Sequence, residues 1–159
     1  MSKIAPCLWF ADEAEEAAKF YVSLLPDSRI DKVQKSPADY PGGKAGNVLV
    51  VQFTLAGQEY MALNAGTPGE YTNAISFKID CADQAEVDRL WEGLAAGGGS
   101  HGQCGWLKDR YGVSWQITPS IMPGLLGGPD RAGSQRAMAA MMKMGKLDIA
   151  TLQKAYDGG

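Results

Sequence analysis

The feature that most constrains the fold of this chain is a short pattern that occurs twice, at a constant offset of 71 positions. In each copy an apolar segment precedes an acidic residue, and apolar residues at helical spacing follow it. A repeat of this kind indicates duplication of one supersecondary unit, so the chain is predicted to fold as two similar halves. The matching residues, in order, are Asp12, Ala14, Glu15 and Phe20 in the first copy and Asp83, Ala85, Glu86 and Trp91 in the second.

The first half is predicted to have the order β-α-β-β-β. Residues 4–10 are short and apolar and give the first strand, and Asp12 is the predicted N-cap of a helix that Pro26 ends. The tight turn Ala56-Gly57 joins the last two strands as a hairpin. The other predicted strands cover residues 29–34, 47–55 and 58–64.

The second half repeats this order after a link rich in glycine, proline and threonine at residues 66–69. A strand is predicted at 74–79, followed by a helix that Asp83 caps. Short strands follow, and the clearest covers residues 113–118, directly after the turn 109–112. The second half is therefore predicted to be a second module of the same kind.

Residues 120–159 depart from the repeat and are predicted to be helical. A helical turn is expected at 121–126, a helix at 135–144, and a last helix that begins after Asp148. Methionine is clustered in the middle segment, which is typical of an adaptable packing surface. These helices either cover an edge of the same molecule or form a dimer contact, and both interpretations stay open.

Composition argues against two classes of partner. The chain has 15 Lys and Arg against 18 Asp and Glu, a net charge of −3, and no basic run that would attract a nucleic-acid backbone. No apolar stretch approaches the roughly 20 residues of a membrane span, and the N-terminus lacks the plan of a signal peptide. Three scattered cysteines are typical of reduced thiols, so we expect a cytoplasmic protein.

Three stretches, at residues 6–21, 74–77 and 105–116, resemble the PhnB-like branch of the vicinal-oxygen-chelate superfamily of glyoxalases, bleomycin-resistance proteins and dioxygenases. The resemblance implies an α+β fold in which two paired βαβββ modules form a curved mixed sheet around a cleft. It also implies a homodimer.

The domain boundaries follow from combining this resemblance with the repeat. The paired domain is expected to cover residues 1–119, with halves at 1–65 and 70–119. Residues 120–159 are then a C-terminal helical extension.

Enzymes of this superfamily hold a divalent metal through His, Gln or Glu side chains on four strands. Carried over position by position, the resemblance places these ligands at or near Ala5, near Met61, at Ala74 and at Gln116. Only Gln116 offers an oxygen, and alanine or methionine cannot replace histidine or glutamate toward a hard cation. Neither a metal nor another cofactor is therefore expected.

In the resembling fold, inward residues of the strands line the cleft, where aromatic rings and a few polar groups suit a small ligand. Any one of these residues could instead fill the core. Strand alternation sends Trp115 and Gln116 to opposite faces, and the ligand-position match favours Gln116. The predicted ligand-binding residues are Trp9, Tyr60, Asn64, Trp106 and Gln116.

No catalytic residue can be assigned from the sequence. His101 is the one histidine, and its position after a glycine run predicts an exposed, inert side chain in a loop. Cys7 and Cys104 are interpreted as small buried hydrophobic residues.

The preferred function is metal-free binding of a small hydrophobic or aromatic molecule in the cleft between the modules. An alternative is an enzyme, either a metal-dependent lyase or dioxygenase, or a methyltransferase, since similar sequences are often labelled 3-demethylubiquinone-9 3-methyltransferase. The glycines at 97–99 follow a helix, whereas a loop that cradles S-adenosylmethionine follows a first parallel strand. A third possibility is a structural dimer whose methionine-rich tail recruits a partner.

Overall fold

The computed structural model describes residues 2–159 and divides into two compact units, of which the first ends at Glu70 and the second begins at Tyr71. Each unit contains one four-stranded mixed sheet with its own helix, and neither sheet closes into a barrel. The predicted α+β class and the two modules of like order are therefore confirmed.

The first unit has the predicted order β-α-β-β-β. Its strands lie in the order β1-β4-β3-β2, with β1 parallel to β4 and the other pairs antiparallel. The hairpin strand at 58–64 is found with the predicted bounds. The elements are β1 (Cys7–Phe10), α1 (Ala14–Leu24), β2 (Arg29–Lys35), β3 (Val48–Leu55) and β4 (Gln58–Asn64).

The second unit begins with the same arrangement. Its strands lie in the order β5-β8-β7-β6, again with the first pair parallel and the others antiparallel. The matching strand orders confirm the two similar halves that the repeat predicts. The elements are β5 (Phe77–Cys81), α2 (Gln84–Ala95), β6 (Ser100–His101), β7 (Trp106–Lys108) and β8 (Ser114–Pro119).

Each core lies between a sheet and its helix. In the first unit Tyr21 of α1 stacks on Phe53 of β3, with ring centroids 6.3 Å apart. In the second unit the sheet contributes the buried side chains of Trp115 and Ile117. The helical periodicity that the sequence shows is confirmed, because the apolar face of α2 is the buried one. Its buried residues are Val87, Leu90, Trp91 and Leu94.

The predicted cap of α1 is wrong. The residue at the N-cap position is Glu13 rather than Asp12, and its side chain accepts no capping hydrogen bond from the helix. The first helical amide is satisfied from elsewhere, because Ala14 N donates to Asn64 Oδ1 at 2.8 Å. Asn64 ends β4 directly opposite Phe10, so the sheet brings a distant acceptor to the start of the helix.

The second unit follows its local signals more closely. Asp83 is the N-cap of α2, and its Oδ1 accepts from Glu86 N at 2.9 Å, as predicted. The strand predicted at 74–79 is displaced, since β5 begins only at Phe77. The preceding Ser76 instead uses its hydroxyl oxygen to accept a hydrogen bond from Gln116 Nε2 at 2.9 Å.

The C-terminal residues form three helices that belong to the second unit. Asp148 caps the last one as predicted, accepting from Thr151 N at 2.7 Å. The middle helix begins earlier than predicted, after the N-cap Asp130, and ends earlier. A local apolar cluster that includes Leu147 and Leu152 holds the three together. They are α3 (Met122–Leu126), α4 (Arg131–Met141) and α5 (Ile149–Asp157).

The clustered methionines divide between the inside and the outside of this helical segment. Met141 and Met144 pack against the apolar cluster, whereas Met138 and Met142 are 50% and 62% exposed. The inner pair packs on residues of the same helical segment, so the interpretation that the helices cover an edge of their own molecule stays a prediction. The dimer contact stays a prediction.

Candidate functional site

The sheet of the second unit has two chemically different faces. Leu107 of β7 lies opposite Trp115 and His101, and these residues share the side on which the His101 ring stacks on Trp91 of α2. Residues directly opposite one another share a face. The other face therefore carries the alternate residues, which are Ser100, Trp106, Lys108, Ser114 and Gln116.

An open cavity of about 470 Å³ lies on this second face. All of its lining residues fall between positions 73 and 114, so it belongs entirely to the second unit. Its surface is mostly apolar, and polar groups lie at a few points. The residues that matter below are Asn73, Ser100, His101, Cys104, Trp106 and Lys108.

Trp106 is the largest aromatic side chain that lines the cavity, and it is half-buried. Its backbone is held on both sides, because Trp106 N donates to Gln103 O at 3.0 Å and its carbonyl accepts from Gly102 N at 2.8 Å. Across the sheet it lies opposite Gln116. The backbone that carries the indole ring is therefore held in place by hydrogen bonds.

The turn before Trp106 forms part of the cavity rim and has an unusual conformation. Cys104 and Gly105 have φ angles of +57° and +83°, a region that costs a non-glycine residue energy. The C-terminal segment holds this turn, since Cys104 N donates to Met144 O and Gly105 N to Gly145 O, both at 2.8 Å. Cys104 is half-buried at the rim, so the prediction that it fills the core is wrong.

His101 is exposed as predicted, but it lies in β6 and not in a loop. Its ring lies parallel to that of Trp91, with centroids 4.5 Å apart and an interplanar angle of 7°. Its Nε2 is 3.0 Å from Trp91 O. Within the described residues no nucleophile or carboxylate is hydrogen-bonded to this ring, so the contacts indicate a packing role.

The positions where a metal would be held do not fit a cation. Gln116 is half-buried, and its amide nitrogen donates to Ser76 Oγ. The other positions offer methyl groups at Ala5 and Ala74 and a thioether at Met61. Among residues 2–159, no three His, Cys, Asp or Glu residues come together in a way that could hold a metal ion. This donor set is unsuited to a hard or borderline cation, so no metal-dependent step follows from it.

In the first unit, Trp9 lies on the sheet face that also carries Cys7, Met61 and Leu63. Its side chain is 44% exposed, and its Nε1 donates to Thr67 O at 2.7 Å, which fixes the ring. Cys7 is exposed, so the prediction that it is buried is wrong. The strand is an edge of its sheet, which leaves one side of this cysteine uncovered.

Tyr60 and Asn64 lie on the opposite, helix-covered face of the same sheet. Tyr60 stacks on Phe53 with ring centroids 5.5 Å apart, and burial raises the pKa of its phenol. Asn64 Nδ2 donates to Val48 O at 3.0 Å, while its Oδ1 accepts from Ala14 as described above. The contacts of Tyr60 are therefore those of a core residue. Asn64 also lines a separate cavity of about 300 Å³ in the first unit, and both residues lie away from the face of Trp9.

The five predicted residues are thus divided among three places. Trp106 and Gln116 are neighbours in the second sheet, but only Trp106 lines the cavity. Five polar residues of the cavity escaped the sequence analysis: Asn73, Ser100, Gln103, Lys108 and Ser114. Lys108 could have been found, because strand alternation places it on the same side as Trp106 two residues earlier.

Comparison with known proteins agrees with these two modules. The model of a family described as 3-demethylubiquinone-9 3-methyltransferase matches residues 2–118. A putative 3-demethylubiquinone-9 3-methyltransferase, PhnB protein, from Bacillus cereus is 35% identical, with a TM-score of 0.66 over 74% of this chain and 99% of that one. The chain belongs to this PhnB-like family.

A second solved structure has the same PhnB-like fold at lower identity. Protein PA1353 from Pseudomonas aeruginosa is 22% identical, with a TM-score of 0.61 over 75% of this chain and 98% of that one. No curated protein matches the chain. Within residues 2–159 no helix has both the length and the apolar character that crossing a membrane requires.

The PhnB-like part of the chain contains the whole cavity but not all of its support. The cavity residues lie between 73 and 114, inside the matched region. Met144 and Gly145, which hold the rim turn, lie beyond residue 118, where the match ends. The rim is therefore partly built by residues outside the family model.

Proposed function

We propose that this PhnB-like protein binds a small, largely apolar or aromatic molecule, without a metal ion, in the cavity of the second unit. The observation that carries the proposal is the half-buried Trp106 in a mostly apolar cavity of about 470 Å³. Sites for small organic ligands usually have volumes of roughly 300–1,000 Å³, with apolar and aromatic walls and a few polar groups.

The support of Trp106 favours binding of a flat ring. A ring stacked against an aromatic side chain gains about 0.5–1.5 kcal/mol beyond the burial of its area. The backbone hydrogen bonds on both sides of Trp106 hold the indole in place before a ligand arrives. A preorganised surface loses less conformational freedom on binding, so more of the contact energy appears as affinity.

Methyl transfer, the activity in the family description, finds less support in the arrangement of the chain. Cofactor-binding glycine loops lie between a first parallel strand and its helix. Here the segment between β1 and α1 is Ala11-Asp12-Glu13, and the segment between β5 and α2 is Ala82-Asp83, so neither contains glycine. Each sheet also has only one parallel pair.

Titration calorimetry with 2-naphthamide, a neutral flat probe, tests the proposal. We expect saturable binding to protein treated with a chelator, and amide chemical-shift changes concentrated at residues 100–108. Trp106→Ala should weaken binding at least tenfold, because it removes the stacking surface. Trp9→Ala is the matched control, since it removes an exposed tryptophan of the first unit. Binding that is unchanged by Trp106→Ala, or that requires an added divalent metal, would contradict the proposal.

The homodimer and the cytoplasmic location remain predictions beside this proposal. Light scattering on the full chain measures the first directly. A monomer at micromolar concentration would contradict the predicted homodimer. It would not affect the proposed cavity, because every lining residue belongs to one unit of one chain.

A further inference from the structure

We infer that the ligand of this cavity is an aromatic carboxylate whose anionic group binds at Lys108 while its ring lies against Trp106. This inference rests on the proposed function and adds the chemical class of the ligand.

The charge of the cavity is the first observation. Among the lining residues in the described part of the chain, Lys108 is the one lysine or arginine. No aspartate or glutamate lines the cavity, although acidic residues outnumber basic ones, 18 to 15, in the whole chain. A mostly apolar recess with one cation and no carboxylate attracts an anion and disfavours an amine.

Lys108 also has no ion-pair partner among residues 2–159. The lysines that do form ion pairs are Lys19, Lys44, Lys78 and Lys146, each with an aspartate or glutamate. An ammonium group in this setting keeps its capacity to bind an external carboxylate. To bind Lys108, a ligand carboxylate has to displace only water from the ammonium group, because no aspartate or glutamate of the described chain is paired with it.

Neighbouring donors complete the anion site. Lys108 is flanked across the sheet by Ser100 and Ser114, and directly opposite residues have Cβ atoms about 4.5–5.5 Å apart. Ser114 Oγ donates to Asn73 Oδ1 at 3.0 Å, which leaves the Asn73 NH₂ group as a second donor at the cavity. A carboxylate placed in an apolar recess needs hydrogen bonds as well as a counter-charge, and these groups can supply both.

The spacing of Trp106 and Lys108 defines the size of the ligand. They are two residues apart on one face of β7, and a strand rises about 3.3 Å per residue, so their Cα atoms are roughly 7 Å apart. This separation suits a carboxylate attached to a ring directly or through one or two atoms. A single ammonium neutralises a monoanion, whereas a phosphate dianion would keep an unbalanced charge.

The test compares two probes of nearly the same shape by calorimetry at low salt: 2-naphthoate and the neutral 2-naphthamide. We expect the wild-type protein to bind the carboxylate about tenfold more tightly, because a hydrogen bond to a charged group is worth more than a neutral one. Lys108→Gln should remove this difference, because it should lower the affinity for 2-naphthoate about tenfold. The affinity for 2-naphthamide should stay within about twofold of the wild-type value. Raising the salt concentration should lower the affinity for 2-naphthoate but not that for 2-naphthamide.

Lys78→Gln is the control, because Lys78 is an exposed lysine that lies opposite Gln116 on the same sheet face but does not line the cavity. It should change neither affinity. If the wild-type protein binds both probes equally and Trp106→Ala binds neither, the inferred carboxylate ligand is wrong and the proposed function stands. Equal weakening of both probes by Lys108→Gln would show a structural role for the lysine. If neither probe binds at the cavity, both proposals fail.

Discussion

Replacing Asp109 with alanine should lower the free energy of unfolding by about 3 kcal/mol. Asp109 is 2% exposed, and its side chain accepts hydrogen bonds from Tyr111 N at 2.8 Å, Val113 N at 3.1 Å and Trp115 Nε1 at 2.9 Å. The last two lie in a buried setting. A buried donor left without an acceptor costs about 1–3 kcal/mol, so two of them together give roughly 2–6 kcal/mol.

Urea unfolding followed by tryptophan fluorescence measures this change. Three of the four tryptophans, Trp91, Trp106 and Trp115, lie in the second unit, so the signal reports mainly on it. In a Trp115→Phe background the indole donor is gone, and Asp109→Ala should then cost about 1–2 kcal/mol less. Additivity of the two changes within about 0.5 kcal/mol would refute the shared bond. Asp157→Ala, at an exposed aspartate of the last helix, is the control and should have a much smaller effect.

Two further predictions concern stability. Asn64→Ala should cost about 2 kcal/mol in urea unfolding, because it removes the acceptor for Ala14 N and the donor to Val48 O, whereas Asn47→Ala at an exposed site should have little effect. Burial, aided by nearby carboxylates, raises the pKa of the Cys81 thiol from 9.0 to about 12, so the unfolded chain releases this proton first. Stability should fall between pH 9 and 12 by this contribution, and the fall should be smaller in Cys81→Ala. Identical pH profiles for the wild type and this variant would contradict the assignment.

Local patterns predict the parts of this fold that local forces determine. The buried face of α2 and the cap at Asp83 follow from residues within a few positions of one another. The start of α1 does not, because its acceptor Asn64 comes from a strand 50 residues further along the chain. The displaced start of β5 has a similar cause, since Ser76 is engaged by Gln116 from β8.

The candidate site shows the same division. Trp106 can be predicted as a lining residue from its strand, and Lys108 follows from alternation along that strand. Trp9 and Tyr60 cannot be assigned to a common face without the pairing of β1 with β4. In that register Trp9 lies opposite Leu63, which sends Tyr60 to the other side. Strand register depends on long-range contacts, so a single sequence leaves it open.

The hydrogen bonds from Cys104 and Gly105 to the segment at Met144 and Gly145 have a consequence for divergence within this family. The sheet that carries Trp106 lies within the part of the chain that the family model matches, but Met144 and Gly145, which hold the cavity rim, lie past the end of that match. Selection can therefore change the shape of the cavity entrance by altering the C-terminal helical extension, while the sequences of the strands stay the same. Ligands that bind shorter relatives should therefore bind this chain poorly. Grafting the C-terminal helical extension of this chain onto a shorter relative should change the ligand preference of that relative toward that of this chain.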